Sequence, residues 1–113
     1  YINYIIDYSN NVIPKLNLTK ADFVFIDGDH SYESVKKDFE LVKNLISKGG
    51  FVVFHDTIGF EGPKKVIEEI KKSGQYEVIT LPTRVASVSG KAILAEDNSL
   101  NFKSVGISVC LKL

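Results

Sequence analysis

The stretch that decides the fold runs from residue 21 to residue 57 and reads ADFVFIDGDHSYESVKKDFELVKNLISKGGFVVFHDT. Two continuous apolar runs, residues 23–26 and 51–54, enclose a segment whose apolar residues recur at three- and four-residue steps. Uninterrupted apolar runs are typical of strands covered on both faces of a parallel sheet, and the longer period is that of an amphipathic helix. The pattern predicts a βαβ unit whose helix covers residues 31–48 and ends at Gly49 and Gly50.

The flanking sequence predicts more elements of the same kind. Residues 1–6, 76–81 and 105–111 are rich in β-branched and aromatic side chains and read as strands. A short helix is predicted after residue 9, a longer one from Pro63 to Gly74, and a small hairpin around residues 92–94. The expected fold is α/β and Rossmann-like, a mostly parallel sheet with flanking helices in a single domain of residues 1–113.

Composition narrows the classes of partner. Fourteen basic and fourteen acidic residues cancel, so we expect neither a nucleic acid nor a membrane partner, and no apolar run reaches the length of a membrane span. The single cysteine, Cys110, fits a reducing compartment and predicts a cytoplasmic protein. The sequence contains no methionine, and we expect it to be an excerpt of a longer chain.

Acidic side chains follow the two apolar runs. Asp27 and Asp56 occupy the carboxyl ends of the predicted strands, where ligands bind in open α/β sheets. Two neighbouring carboxylates repel each other unless a cation lies between them, and Mg²⁺ prefers oxygen ligands, so they predict a metal site with His55 within reach. His30 is a candidate base for a metal-bound hydroxyl. Asp29 or Ser31 is instead expected to cap the following helix.

With the blocks IDGDHSYE and GGFVVFHD in place, the sequence resembles the second half of a class I S-adenosylmethionine-dependent methyltransferase. The group it resembles includes the metal-dependent sugar and catechol-type O-methyltransferases and the cephalosporin-hydroxylase-like proteins. The resemblance is strong over residues 1–57 and faint beyond residue 81. It implies methyl transfer from S-adenosylmethionine to a small-molecule hydroxyl, assisted by Mg²⁺.

The resemblance also implies roles for individual residues. Asp27 and Asp56 match the two metal-ligand aspartates, and His55 lies beside the second one, where members often carry an oxygen ligand. His30 matches a general base of sugar O-methyltransferases. The candidate cofactor-binding residues are Asp7, Ser9 and Asp27, with Asp7 and Ser9 in the turn near the adenine.

Two parts of the family pattern have no match in this sequence: the glycine-rich loop after the first strand, and the acidic end of the second strand. In the family's strand order, 3-2-1-4-5-7-6, the absence of strands 1 and 2 leaves an unpaired sheet edge, which predicts a homo-oligomer formed through that edge.

Two other functions compete with methyl transfer. The first is a truncated, non-catalytic methyltransferase-like module that acts in protein interaction. The second is a Mg²⁺-dependent phosphatase of the haloacid dehalogenase type, in which Asp27 is phosphorylated and Asp29 is the acid/base.

Overall fold

The computed structural model describes residues 1–86 and 102–113. Its main sheet has four strands: β1 (Ala21–Ile26), β2 (Ile46–His55), β3 (Tyr76–Leu81) and β6 (Ile107–Lys112). The helices are α1 (Ser9–Val12), which continues into a 3-10 turn at Ile13–Lys15, α2 (Tyr32–Val42) and α3 (Glu61–Ser73). Two short strands, β4 (Arg84–Ala86) and β5 (Phe102–Ser104), pair with each other. The predicted hairpin around residues 92–94 lies outside the described residues.

The strand order of the main sheet is β1-β2-β6-β3. The first pair is parallel, whereas β6 runs antiparallel to both of its neighbours, so β1, β2 and β3 all point the same way. The sheet is therefore mixed, with three of its four strands in one direction and helices in the crossovers, which confirms the α/β fold class. This order is also the 4-5-7-6 segment of the strand order stated above.

The core fills the side of the sheet on which α2 and α3 pack. Alternate strand residues point to this side because successive side chains of a strand face opposite ways. They meet the apolar stripes of both helices in one cluster; its fully or almost fully buried members include Val52, Phe54, Val66, Ile70 and Cys110.

The opposite side of the sheet differs from the prediction. Phe23 and Phe25, expected to be covered, are 62% and 49% exposed, and Phe51 and Ile79 on the neighbouring strands are also exposed. Register explains their grouping, since Phe23 lies opposite Phe51, and Phe25 shares a row with Val53, Val109 and Ile79. The apolar runs were correctly assigned as strands, but within the described residues the face that carries Phe23, Phe25, Phe51 and Ile79 is largely exposed.

One predicted strand and one predicted helix end were wrong. Residues 1–6 form no strand and are exposed, because a strand needs a hydrogen-bonded neighbour and the described residues supply none beside them. The helix α2 ends at Val42 rather than at residue 48, because Ile46 already pairs with Ala21 of β1. Gly49 and Gly50 lie inside β2, where the register shifts and Gly49 adopts a φ of 79°.

Other boundaries agree with the sequence. The strand β3 covers the predicted residues, and α3 ends at Gly74, which adopts the left-handed conformation with a φ of 66°. No helix among the described residues is long and apolar enough to cross a bilayer.

Candidate functional site

The two loops that carry the predicted site residues emerge side by side. Because β1 and β2 are parallel neighbours, with Ile26 opposite Phe54, their carboxyl ends lie at the same edge of the sheet. Asp27 follows β1 directly, His55 is the last residue of β2, and Asp56 comes next. The sheet thus brings together the three residues that the sequence proposed as metal ligands.

Each of these three side chains offers one ligand atom, and the three atoms lie within 4.8 Å of one another. The Nδ1 atom of His55 is 3.5 Å from Oδ1 of Asp27 and 3.0 Å from Oδ2 of Asp56. The side chain of Asp56 is only 10% exposed, whereas that of Asp27 is 47% exposed. The cluster is therefore closed at Asp56 and open to solvent at Asp27.

The ring nitrogen of His55 that faces the two carboxylates forms no well-aligned hydrogen bond among the described residues. This Nδ1 atom is buried and makes no hydrogen bond within residues 1–86 and 102–113, although Asp56 is close. Buried polar atoms without a hydrogen bond are uncommon and call for an explanation such as an ion or a catalytic role. A nitrogen lone pair between two carboxylates is a suitable metal ligand.

Asp56 itself is held in a strained backbone conformation. Its φ is 61°, in the left-handed region that non-glycine residues seldom adopt, and the residue is buried. Burial acts to raise the pKa of its carboxyl, but contacts with His55 and His30 outweigh burial and hold the pKa below its usual value. Asp56 is thus a fixed, ionised carboxylate.

His30 lies on the other side of Asp56. Its Nε2 atom is 2.8 Å from Oδ2 of Asp56, and its ring stacks on Phe60 with centroids 3.9 Å apart. Gly62 packs closely against the backbone of His30: a Cβ at Gly62 would lie 2.1 Å from the carbonyl oxygen of His30. The start of α3 therefore holds the imidazole against Asp56.

Thr57 points away from the cluster. Its Oγ1 atom accepts a hydrogen bond of 2.8 Å from Ser108, whose hydroxyl is in turn 2.8 Å from that of Thr80. Thr57 and Ser108 are both buried. The hydroxyl of Thr57 thus belongs to a chain of three hydroxyls between strands and does not face Asp27.

Asp29 and Ser31 serve the helix that follows them. Ser31 is the N-cap of α2 and accepts a hydrogen bond of 3.3 Å from the backbone of Ser34, while Asp29 accepts one of 2.5 Å from the Ser31 hydroxyl. Hydrogen bonds from Ser31 and then Ser34 lower the pKa of Asp29. The capping prediction is confirmed, and Asp29 is not a member of the cluster around Asp27.

The candidate cofactor-binding residues line two adjoining clefts. Asp7 and Ser9 line a cavity of about 750 Å³ together with Gly28 and Asp38. Ser9, Gly28 and Asp38 also line a smaller cleft of about 250 Å³ that reaches Asp27. Ser9 donates a hydrogen bond to Asp38, and the pKa of Asp7 is lowered by hydrogen bonds from Asn11 and the backbone of Tyr8.

Sequence reasoning missed several of these contacts. The stacking of Phe60 on His30 and the bond between Ser9 and Asp38 join residues about thirty positions apart, with no periodic or motif signal between them. The left-handed turn at Asp56 was also not foreseen, since aspartate is compatible with several conformations. The close approach of Gly62 had one available signal, a glycine early in an otherwise regular helix.

Comparisons with known proteins include two curated relatives from different organisms. An uncharacterized protein of Acanthamoeba polyphaga mimivirus is 39% identical over 67 residues, which cover 58% of this chain and 30% of that protein. A ribitol-5-phosphate cytidylyltransferase of Streptococcus agalactiae serotype Ia is 30% identical over 97 residues, 83% of this chain and 38% of that protein. This chain therefore spans about a third of the length of these curated relatives.

The third comparison concerns the fold. A precorrin-6y C5,15-methyltransferase from Geobacter metallireducens superposes with a TM-score of 0.64 at 19% identity, covering 96% of this chain and 52% of that one. The family model described as a methyltransferase domain matches residues 1–57, just over half of the sequence and the part that holds Asp27, His30, His55 and Asp56. This chain belongs to the methyltransferase domain family.

Proposed function

We propose that this chain is part of an S-adenosylmethionine-dependent enzyme that methylates a hydroxyl group of a small molecule with the assistance of a divalent cation. S-adenosylmethionine is the usual cofactor of the family and supplies an activated methyl group when bound. The protein would contribute position and charge. The proposal goes beyond the family assignment in two respects: the methyl acceptor is a hydroxyl group, and a divalent cation assists the transfer.

One observation carries the proposal: three ligand atoms from Asp27, His55 and Asp56 lie within 4.8 Å at the carboxyl edge of the sheet. The buried Nδ1 of His55, which makes no hydrogen bond in the described part of the chain, supports a site prepared for a cation. These residues would hold the ion, and its chemistry would be to lower the pKa of an acceptor hydroxyl.

The proposed role of His30 is to take the proton from the acceptor. The carboxylate of Asp56 accepts a hydrogen bond from Nε2 of His30 in the tautomer that carries its proton there. The other ring nitrogen, Nδ1, is left with its lone pair for the acceptor. Phe60 supports this role because stacking limits rotation of the ring.

The cavity beside Asp7 and Ser9 is the proposed site for the adenosine end of the cofactor. Carboxylate and hydroxyl oxygens suit a ligand with amino and hydroxyl groups, and the smaller cleft connects this position to Asp27. The family's glycine-rich loop has no match in this sequence. The chain therefore supplies only part of the expected cofactor contacts.

Metal binding is tested with conservative variants of the proposed ligands. We expect Mn²⁺, titrated calorimetrically into the metal-free protein, to bind at least about tenfold more weakly to Asp27→Asn and Asp56→Asn. Asp29→Asn is the matched control, because Asp29 lies two residues from Asp27 but bonds the hydroxyl of Ser31 and is outside the cluster. Equal affinity in all four proteins would contradict the metal site.

Methyl transfer is tested separately. S-adenosylmethionine binding is measured by calorimetry, and labelled methyl transfer is measured with a panel of catechols and sugars. The proposal is supported if the protein binds S-adenosylmethionine and if the rate of methyl transfer is lower in His30→Gln than in the unmodified protein. A folded protein that does not bind the cofactor supports the interaction module instead, and hydrolysis of a generic phosphoester that depends on Asp27 supports the phosphatase.

A further inference from the structure

The nitrogen ligand in the cluster bears on which metal the site selects. Mg²⁺ takes oxygen ligands almost exclusively and binds through carboxylates and retained waters. Imidazole suits first-row transition ions, which also accept carboxylates. His55 presents its Nδ1 atom, rather than an oxygen, between Asp27 and Asp56.

His55 directs this nitrogen toward both carboxylates. The atom is buried, makes no hydrogen bond within the described residues, and lies 3.5 Å from Oδ1 of Asp27 and 3.0 Å from Oδ2 of Asp56. Asp56 is fixed by its backbone and by His30, and it cannot turn away without breaking the contact of 2.8 Å with that ring. An ion that contacts both carboxylates therefore also meets the imidazole.

We infer that the Asp27, His55 and Asp56 cluster is a site for a divalent first-row transition ion, such as Mn²⁺, Co²⁺ or Zn²⁺, and that it discriminates against Mg²⁺. Three protein ligands with open remaining positions are the arrangement of catalytic rather than purely structural metal sites. The inference rests on the metal part of the proposed function and adds the class of ion. It does not depend on the identity of the acceptor.

The experiment compares metals in the intact chain, freed of metal with a chelator. Calorimetric titrations with Mg²⁺, Mn²⁺, Co²⁺ and Zn²⁺ are expected to show affinity for the transition ions about tenfold or more above that for Mg²⁺. The Co²⁺ complex is expected to give one paramagnetically shifted, exchangeable proton resonance, from the Nε2–H of a ring bound through Nδ1.

Variants of the two histidines provide the decisive comparison, since the chain contains only two. His55→Glu replaces nitrogen by oxygen, and we expect the ratio of Mn²⁺ to Mg²⁺ affinity to fall about tenfold and the shifted resonance to vanish. His55→Gln is a second variant in case the added charge prevents folding, which circular dichroism checks. His30→Gln is expected to retain the resonance.

The outcomes separate this inference from the proposed function. Binding of Mg²⁺ as tight as that of Mn²⁺, or an unchanged ratio in His55→Glu, overturns the selectivity but leaves a metal-assisted enzyme. Loss of the resonance only in His30→Gln overturns the assignment to His55. Failure of every cation to bind the folded chain refutes both the selectivity and the metal part of the proposed function.

Discussion

Asp56 adopts an unfavourable backbone conformation that positions its carboxylate in the site. Its left-handed φ of 61° aims a buried carboxylate at two imidazoles, while the next residue turns its hydroxyl into the sheet. Backbone hydrogen bonds maintain the turn: Ile58 and Gly59 both donate to the carbonyl of Val105. Strain of this kind persists where the surrounding structure enforces it.

The strain predicts an unusual difference between two variants of Asp56. Asparagine tolerates the left-handed region, whereas alanine is penalised there by about 1–2 kcal/mol, so Asp56→Ala should be less stable than Asp56→Asn by about 1 kcal/mol. Urea denaturation measures the difference. At Asp22, an exposed residue of β1, the same two replacements should agree within about 0.5 kcal/mol. Equal stability of the two Asp56 variants would show that the turn is not strained.

The sequence predicted where in the fold the site residues lie, but it did not predict which side chains contact each other. Asp27 and Asp56 could be placed together because apolar runs identify parallel strands, and the carboxyl ends of such strands share an edge. The contact of His30 with Asp56 could not be predicted, because it depends on the path of a loop and on a left-handed turn. The roles of Asp7, Ser9, Asp27, His30, His55 and Asp56 stay predictions until the experiments above are made.

At the scale of elements, the start of α3 supports the loop that carries His30. Gly62 is inside this helix, and its missing Cβ lets the helix approach the backbone of residues 30–32. A Cβ there would lie 2.1 Å from the carbonyl oxygen of His30 and 2.7 Å from the backbone nitrogen of Tyr32. The obstacle is backbone, which cannot move aside as a flexible side chain does.

Gly62→Ala should therefore reverse the usual effect of this substitution. Glycine to alanine inside a helix ordinarily stabilises a protein by about 0.5–1 kcal/mol, but overpacking costs about 1–3 kcal/mol, and here overpacking should dominate. Thermal and urea denaturation measure the loss. Gly28→Ala is the control, since its Cβ would meet only Asp38, at 3.6 Å. A stabilised Gly62→Ala protein would refute the close packing.

The elements also show where local pattern failed. The apolar period of α2 appeared to continue through Leu45 and Ile46, yet Ile46 pairs with β1, and Lys112 donates hydrogen bonds to the carbonyls of Lys43 and Ile46. Periodicity does not report a partner that is distant in sequence. In contrast, β3 and the end of α3 were predicted well, because their limits are set by local residues such as Gly74.

At the scale of the molecule, the side of the sheet that is exposed among the described residues is the main departure from a closed α/β fold. Phe23, Phe25 and Phe51 are exposed apolar neighbours on β1 and β2, and Ile79 is exposed on the same side of β3. Contiguous apolar surfaces of this kind promote association. We predicted a homo-oligomer that forms through the edge of β1. Burial of this apolar surface, which lies next to that edge, would strengthen the association of two chains.

We expect the isolated chain to self-associate, and Phe23→Thr to weaken the association constant about tenfold or more, since burying a phenylalanine contributes about 1.5–3 kcal/mol. Threonine keeps the preference for a strand. Sedimentation velocity at several concentrations measures the change. Leu18→Thr is the control, because Leu18 is 49% exposed but lies in the loop before β1. An equal effect of both variants would indicate general hydrophobicity rather than the sheet surface.

The strand β6 follows β3 in the sequence, yet it is an inner strand of the sheet. Because β6 lies between β2 and β3, a nascent chain that lacks Ile107–Lys112 cannot join the parallel pair of β1 and β2 to β3. Such pairing over a long sequence distance closes late and slowly. Completion of the sheet must therefore wait for β6, and loss of that strand would divide the domain at its centre rather than trim its edge.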